Sequence, residues 1–92
     1  MPPKPFLPRV TMYTVGSPCP LCDEARTHLE AVSRVRTLDV RQVVIDGDPR
    51  LVVRHALRVP VIEIDGVEAL HGKISRSDLE GALDRAAVAP PS

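Results

Sequence analysis

The chain has 92 residues, the size of one small domain, and a chain this short buries only about 60–65% of its unfolded surface. Twelve basic residues balance twelve acidic ones, so net charge favours neither nucleic acid nor a membrane surface as partner. Phe6 and Tyr13 are the only Phe, Tyr or Trp side chains, so the stacking platform of a single-strand nucleic-acid binder is missing. No apolar run approaches the roughly eighteen residues of a membrane span.

The opening "MPPKPFLPRV" holds four prolines and lacks the apolar stretch of a secretory signal. Residues 1–8 therefore read as a flexible, Pro-rich lead-in to a domain over 9–88, with 89–92 as a short tail. Without an export signal the expected location is the cytoplasm. In that reducing compartment, two cysteines three apart are more often catalytic or metal-binding than a structural staple.

"RVTMYTV", Arg9 to Val15, is rich in β-branched residues and stops at Gly16, which predicts a first strand with both faces apolar. From Pro20 the period changes. Leu21, Ala25, His28, Leu29 and Val32 recur at helical spacing to about Val35, with Pro20 in the first turn, where its missing N–H costs nothing. "LDVRQVVID", Leu38 to Asp46, is a second strand. Gly47 turns the chain, Asp48 is a good N-cap and Pro49 suits N1 of a short helix. That helix has Val52, Val53, Ala56 and Leu57 on one side. "VPVIEIDGVEAL" predicts a hairpin, Val61 to Ile64 and Val67 to Leu70 about an Asp65-Gly66 turn. Ser75 and Asp78 stand in capping-box spacing before a last helix with Leu79, Ala82, Leu83 and Ala86 on one face.

The order is β-α-β-α-β-β-α. Strands one and two, joined through a helix, should be parallel and the hairpin antiparallel, and helices should cover both faces of the sheet, because the first two strands are apolar on both sides. The fold class is α/β: a three-layer sandwich on a four-stranded mixed sheet.

The two cysteines, Cys19 and Cys22, lie in "GSPCPLCDEA", between the first strand and the first helix. Three readings are open for them: a redox pair, half of a metal site, or a buried or disulfide-bonded structural pair. A closed zinc site wants four ligands, and His28, His55 and His71 are scattered over different elements with no second CxxC, so no metal site is assigned.

In this element order, Cys19-Pro20-Leu21-Cys22 opening the first helix and Val59-Pro60 before the third strand resemble the glutaredoxin-like branch of the thioredoxin fold. The resemblance covers about Arg9 to Ala87. It implies a thiol–disulfide oxidoreductase in which Cys19 is the nucleophile and Cys22 resolves the mixed disulfide. Pro18, Pro20 and Leu21 would frame the helix N-terminus at the site. It also implies a cis bond at Pro60, with the backbone of Val59 pairing with the bound peptide or glutathione. The partners it implies are protein or small-molecule disulfides, with glutathione or a thioredoxin reductase system as reductant. The alternative of another class is a non-catalytic binding module or an iron–sulfur cluster carrier on the same fold.

The chain departs from dithiol glutaredoxins in three places. Gly16, Ser17 and Pro18 stand where they carry a basic residue, Leu21 replaces an aromatic, and "LHGKISRSD" has the single Gly72 in place of a Gly-Gly pair with an acidic residue. No cofactor is required by these residues, and the departures argue against glutathione. With Asp23 and Glu24 close to Cys19 and no basic residue just before it, a mild depression of the thiol pKa is expected.

The other candidate residues have plainer readings. His28 reads as a half-buried structural histidine, His55 as packing or solvent-facing, and Tyr13 as core. His71, at the hairpin's end, is either near the site or an exposed polar residue. Arg50, Arg54 and Arg58 form a basic face that is ordinarily just solvated, with partner docking or carboxylate binding as the sharper reading. Lys73 and Arg76 are read in the same way.

Overall fold

The structure, a computed structural model, describes residues 7–16 and 18–88. Most of the lead-in and the tail at 89–92 lie outside the described residues. The elements are β1 (Arg9–Thr14), α1 (Pro20–Ser33), β2 (Asp39–Val44), a 3-10 turn (Ile45–Gly47), α2 (Pro49–His55), β3 (Val61–Ile64), β4 (Val67–His71) and α3 (Arg76–Val88). They form one four-stranded sheet in the order β2-β1-β3-β4. β1 and β2 are parallel, and β1–β3 and β3–β4 are antiparallel.

Alternation along the strands decides the layers. Val10 and Met12 of β1 and Ile62 and Ile64 of β3 point to one face. There they meet Ala25, Leu29 and Val32 of α1, at spacings of four and three, and Leu79, Ala82 and Leu83 of α3. Full burial of each large side chain in this cluster stabilises by roughly 1.5–3 kcal/mol. Tyr13, one step out of phase with Met12, faces the opposite layer, where His55 of α2 stacks on it. Helices thus lie on both faces, as the expected sandwich requires.

Local signals place the element ends. Asp48 caps α2, its carboxylate accepting from the amides of Arg50 and Leu51. Ser75 and Asp78 cap α3 reciprocally, each side chain accepting from the other's amide at 3.0 Å. The hairpin turns through Asp65 and Gly66, both at positive φ (52° and 85°), the backbone that an Asp-Gly turn accommodates. Pro8 is buried, and its carbonyl accepts from Asp39 N at 2.9 Å, extending the β1–β2 pairing by one residue.

Two expectations are corrected. β2 is not apolar and covered on both sides; it is an edge strand with Val40 and Val44 exposed. Among the described residues only β1 neighbours it, and Arg41 and Gln42 blunt the open edge. In α2 the expected apolar side is not the buried one. Of the expected side, Val52 is exposed, Val53 is 88% exposed and Leu57 fully exposed, with Ala56 alone half-buried, while His55 is buried and Leu51 half-buried. With seven residues, α2 touches the sheet along one narrow line, and the large imidazole on Tyr13 takes that place.

Candidate active site

One end of the sheet gathers the residues that carry chemistry. Tyr13 of β1 pairs with Val61 of β3 and Thr14 with Val44 of β2. β1 therefore leaves the sheet towards Cys19 beside the point where β3 arrives from Val59-Pro60 and where β2 turns into residues 45–48. β4 ends there too, since His71 pairs with Val61.

Cys19 is the N-cap of α1. Its Sγ accepts from the amide of Cys22 at 3.2 Å, and its carbonyl takes the amide of Asp23 at 3.0 Å. Pro20 follows at the first helical position without an N–H of its own. The sulfur thus lies on the unpaired donors and the positive dipole end of a 14-residue helix. Cys19 and Cys22 are joined by a disulfide with Cα atoms 5.2 Å apart. Their exposure differs: Cys22 is 1% exposed, whereas Cys19 is half-buried between the exposed Pro18, Pro20 and Leu21.

The Val59–Pro60 peptide bond is cis. Pro60 is buried, and its carbonyl accepts from Gly72 N at 2.9 Å, fastening this segment to the end of β4. Val59 is half-buried, and neither its N–H nor its C=O is engaged by another backbone group among the described residues. The stretch after β4 offers one carboxylate, Asp78, and that group is engaged with Ser75 in the α3 cap. The two bonds from Ser75, amide first and hydroxyl second, hold Asp78 below its ordinary pKa.

The remaining candidates separate. His28 is half-buried, with Nε2 3.8 Å from Glu24 Oε1. His71 and Lys73 are exposed. Arg76 pairs with Glu80 at 3.0 Å. Arg58 falls beyond α2 and pairs with Glu68, so the anticipated three-arginine face is broken. Arg50 and Arg54 are exposed and enter none of the ion pairs among the described residues. With Val53 and Leu57 they form an exposed stripe at helical spacing that ends two residues before Val59.

Two clusters carried no functional signal in the sequence. Tyr13 Oη donates to Glu63 Oε1 at 3.0 Å while its ring stacks on His55. Burial, then this bond and the Glu63 charge, raise the phenol pKa, and Arg54 opposes them. Asp46, in the turn after β2, accepts from Gly16 N at 3.0 Å across thirty residues of sequence. The Asp-Gly-Asp run at 46–48 signals a turn, but nothing local names its distant partner.

The glutaredoxin-like domain (DUF836) matches this chain over residues 9–84. Among solved structures, the structural-genomics target protein XcR50 from X. campestris is 34% identical. The match covers 88% of this chain and 99% of that one, with a TM-score of 0.70. A structure described as that of a malarial protein is 14% identical and shares the fold, with a TM-score of 0.67 over 90% of this chain and all of that one. No curated protein matches the chain.

Proposed function

This chain belongs to the glutaredoxin-like domain family, and from that premise we propose that it is a thiol–disulfide oxidoreductase working through Cys19 and Cys22. The observation that carries the reading is the unequal exposure of a bonded pair at a helix start. Cys19 meets solvent on the α1 N-terminus, and Cys22 is buried one turn behind it. An incoming disulfide reaches only the first sulfur.

In the reduced protein the Cys19 thiolate attacks one sulfur of the substrate disulfide. The Cys19–substrate S–S bond forms as the substrate S–S bond breaks, and the second substrate sulfur leaves as a thiolate that takes up a proton. Cys22 then loses its proton and attacks Cys19 Sγ. The Cys19–Cys22 disulfide forms, and the first substrate sulfur departs as a thiol. Two electrons pass from the protein dithiol to the substrate. An external thiol or dithiol reductant reverses the exchange on the protein, which suits a reducing cytoplasm.

The helix N-terminus stabilises Cys19 as a thiolate, because the Cys22 amide that now meets the sulfur at 3.2 Å would then donate to a full negative charge. The free backbone groups of Val59 suit antiparallel pairing with an extended substrate segment. The adjoining stripe of Arg50, Val53, Arg54 and Leu57 favours protein disulfides with acidic and apolar neighbours over small disulfides. Glutathione does not fit well as a resident partner, since the one carboxylate of the 71–78 stretch is already engaged in a helix cap. A thioredoxin reductase system is the reductant we favour.

The test is trapping. Cys22→Ser should accumulate a mixed disulfide at Cys19 when mixed with a disulfide-bonded protein, seen as an added mass that dithiothreitol removes. Cys19→Ser should form none. Equal trapping at either cysteine would overturn the assignment of roles.

A further inference from the structure

We propose that Asp46 is a positioning residue for the Cys19 thiol: its carboxylate pins the loop between β1 and α1, and the pin keeps the Cys19 sulfur on the Cys22 amide. The inference rests on the reading of Cys19 as the attacking thiol.

The geometry is specific. Gly16 N donates to Asp46 Oδ2 at 3.0 Å, and a Cβ at position 16 would lie 2.6 Å from that same oxygen. A Cβ at position 16 would therefore push the carboxylate, the free end of an exposed side chain, off the Gly16 amide. The two residues meet because β1 and β2 are parallel and end in register at Thr14 and Val44, so both strands leave the sheet side by side.

Within the loop Pro18 carries no N–H, and Gly16 donates its amide across to the turn that follows β2. Asp46 enters none of the ion pairs among the described residues, so no cation draws the carboxylate away from that amide. A hydrogen bond to a charged acceptor is among the stronger ones a loop can be given.

Asp46 could influence Cys19 by two routes, and they have opposite signs. As a pin, it keeps the sulfur on a donor and so favours the thiolate. As a bare negative charge it would disfavour the thiolate.

The experiment follows alkylation of Cys19 by iodoacetamide in the reduced full chain across pH, with the labelled residue located by mass spectrometry. Asp46→Ala should raise the midpoint of the profile and slow labelling at neutral pH by roughly three- to tenfold, as the thiolate fraction falls. Asp46→Asn, whose amide oxygen still accepts from Gly16, should stay within about twofold of the parent. Gly16→Ala should behave like Asp46→Ala, and the double variant should be no slower than either single one. Should Asp46→Ala fail to fold, the Asn and Gly16→Ala variants carry the test.

Faster labelling in Asp46→Ala, or labelling of Asp46→Asn more than about twofold faster than the parent, would show a dominant field effect and overturn the proposal. Unchanged labelling in Asp46→Ala, loss without rescue in Asp46→Asn, or multiplying effects in the double variant would overturn it too. Labelling needs no turnover. A chain that shows the expected pattern yet reduces no disulfide would overturn the exchange reading and leave the pin standing.

Discussion

His55 lies face to face with Tyr13, their ring centroids 4.5 Å apart and their planes 25° from parallel. Both imidazole nitrogens are buried without a hydrogen-bond partner among the described residues. The ring fills space that α2 needs against the sheet, while the unpaired nitrogens oppose burial. His55→Phe keeps the flat ring and removes the nitrogens, so urea unfolding should show a gain of about 1 kcal/mol. His55→Ala should lose about 2 kcal/mol or more through the cavity. A loss in His55→Phe equal to that in His55→Ala would mean that the nitrogens have partners after all.

Tyr13 should titrate above its ordinary value of 10.0, first because it is partly buried, then because its hydroxyl donates to Glu63 and faces that charge. A raised folded-state value gives stability that is fully present below about pH 10 and lost as pH rises through the folded value. Tyr13 is the single tyrosine, so phenolate absorbance reports it alone. Glu63→Gln should bring the midpoint part of the way back, leaving the share that burial supplies.

Asp78 should show the opposite sign. The amide and hydroxyl of Ser75 hold its carboxyl below the ordinary 3.8. Its contribution to stability is present above that value and is lost as pH falls through the lower folded value. Carboxyl titration by NMR should find Ser75→Ala raising the Asp78 midpoint only partly, since the Ser75 amide remains.

Asp48 is the cap on which the short α2 depends. Asp48→Ala removes the acceptor for the amides of Arg50 and Leu51 and should cost about 1 kcal/mol in denaturant unfolding. Asp48→Asn should recover most of it.

What the sequence disclosed, and what it hid, follows from the range of each interaction. The Asp65-Gly66 turn, the Ser75–Asp78 cap, the Asp48-Pro49 start of α2 and the position of Cys19 before α1 are all set within four residues. Each was legible. The crossover rule added the parallel β1–β2 pair. The phase of α2 was not legible, because Val52, Val53, Ala56 and Leu57 make a tidy apolar stripe, yet Tyr13, some forty residues away in sequence, selects His55 instead. The edge position of β2 is likewise a property of strand order, which alternation within the strand does not encode. At the site, the burial of Cys22 follows from its place three residues before Ala25 on the buried face of α1, whereas the contact of Gly16 with Asp46 depends on how two strand ends meet, and no spacing rule reaches that far.

The most direct measurement is the reduction potential of the Cys19–Cys22 pair, read by thiol labelling across a dithiothreitol redox series. If the pair is a working exchange centre, the titration should give one reversible two-electron transition between about −170 and −280 mV, absent in Cys22→Ser. A pair that stays reduced across the whole series, or a transition that survives in Cys22→Ser, would contradict thiol–disulfide exchange through these two cysteines.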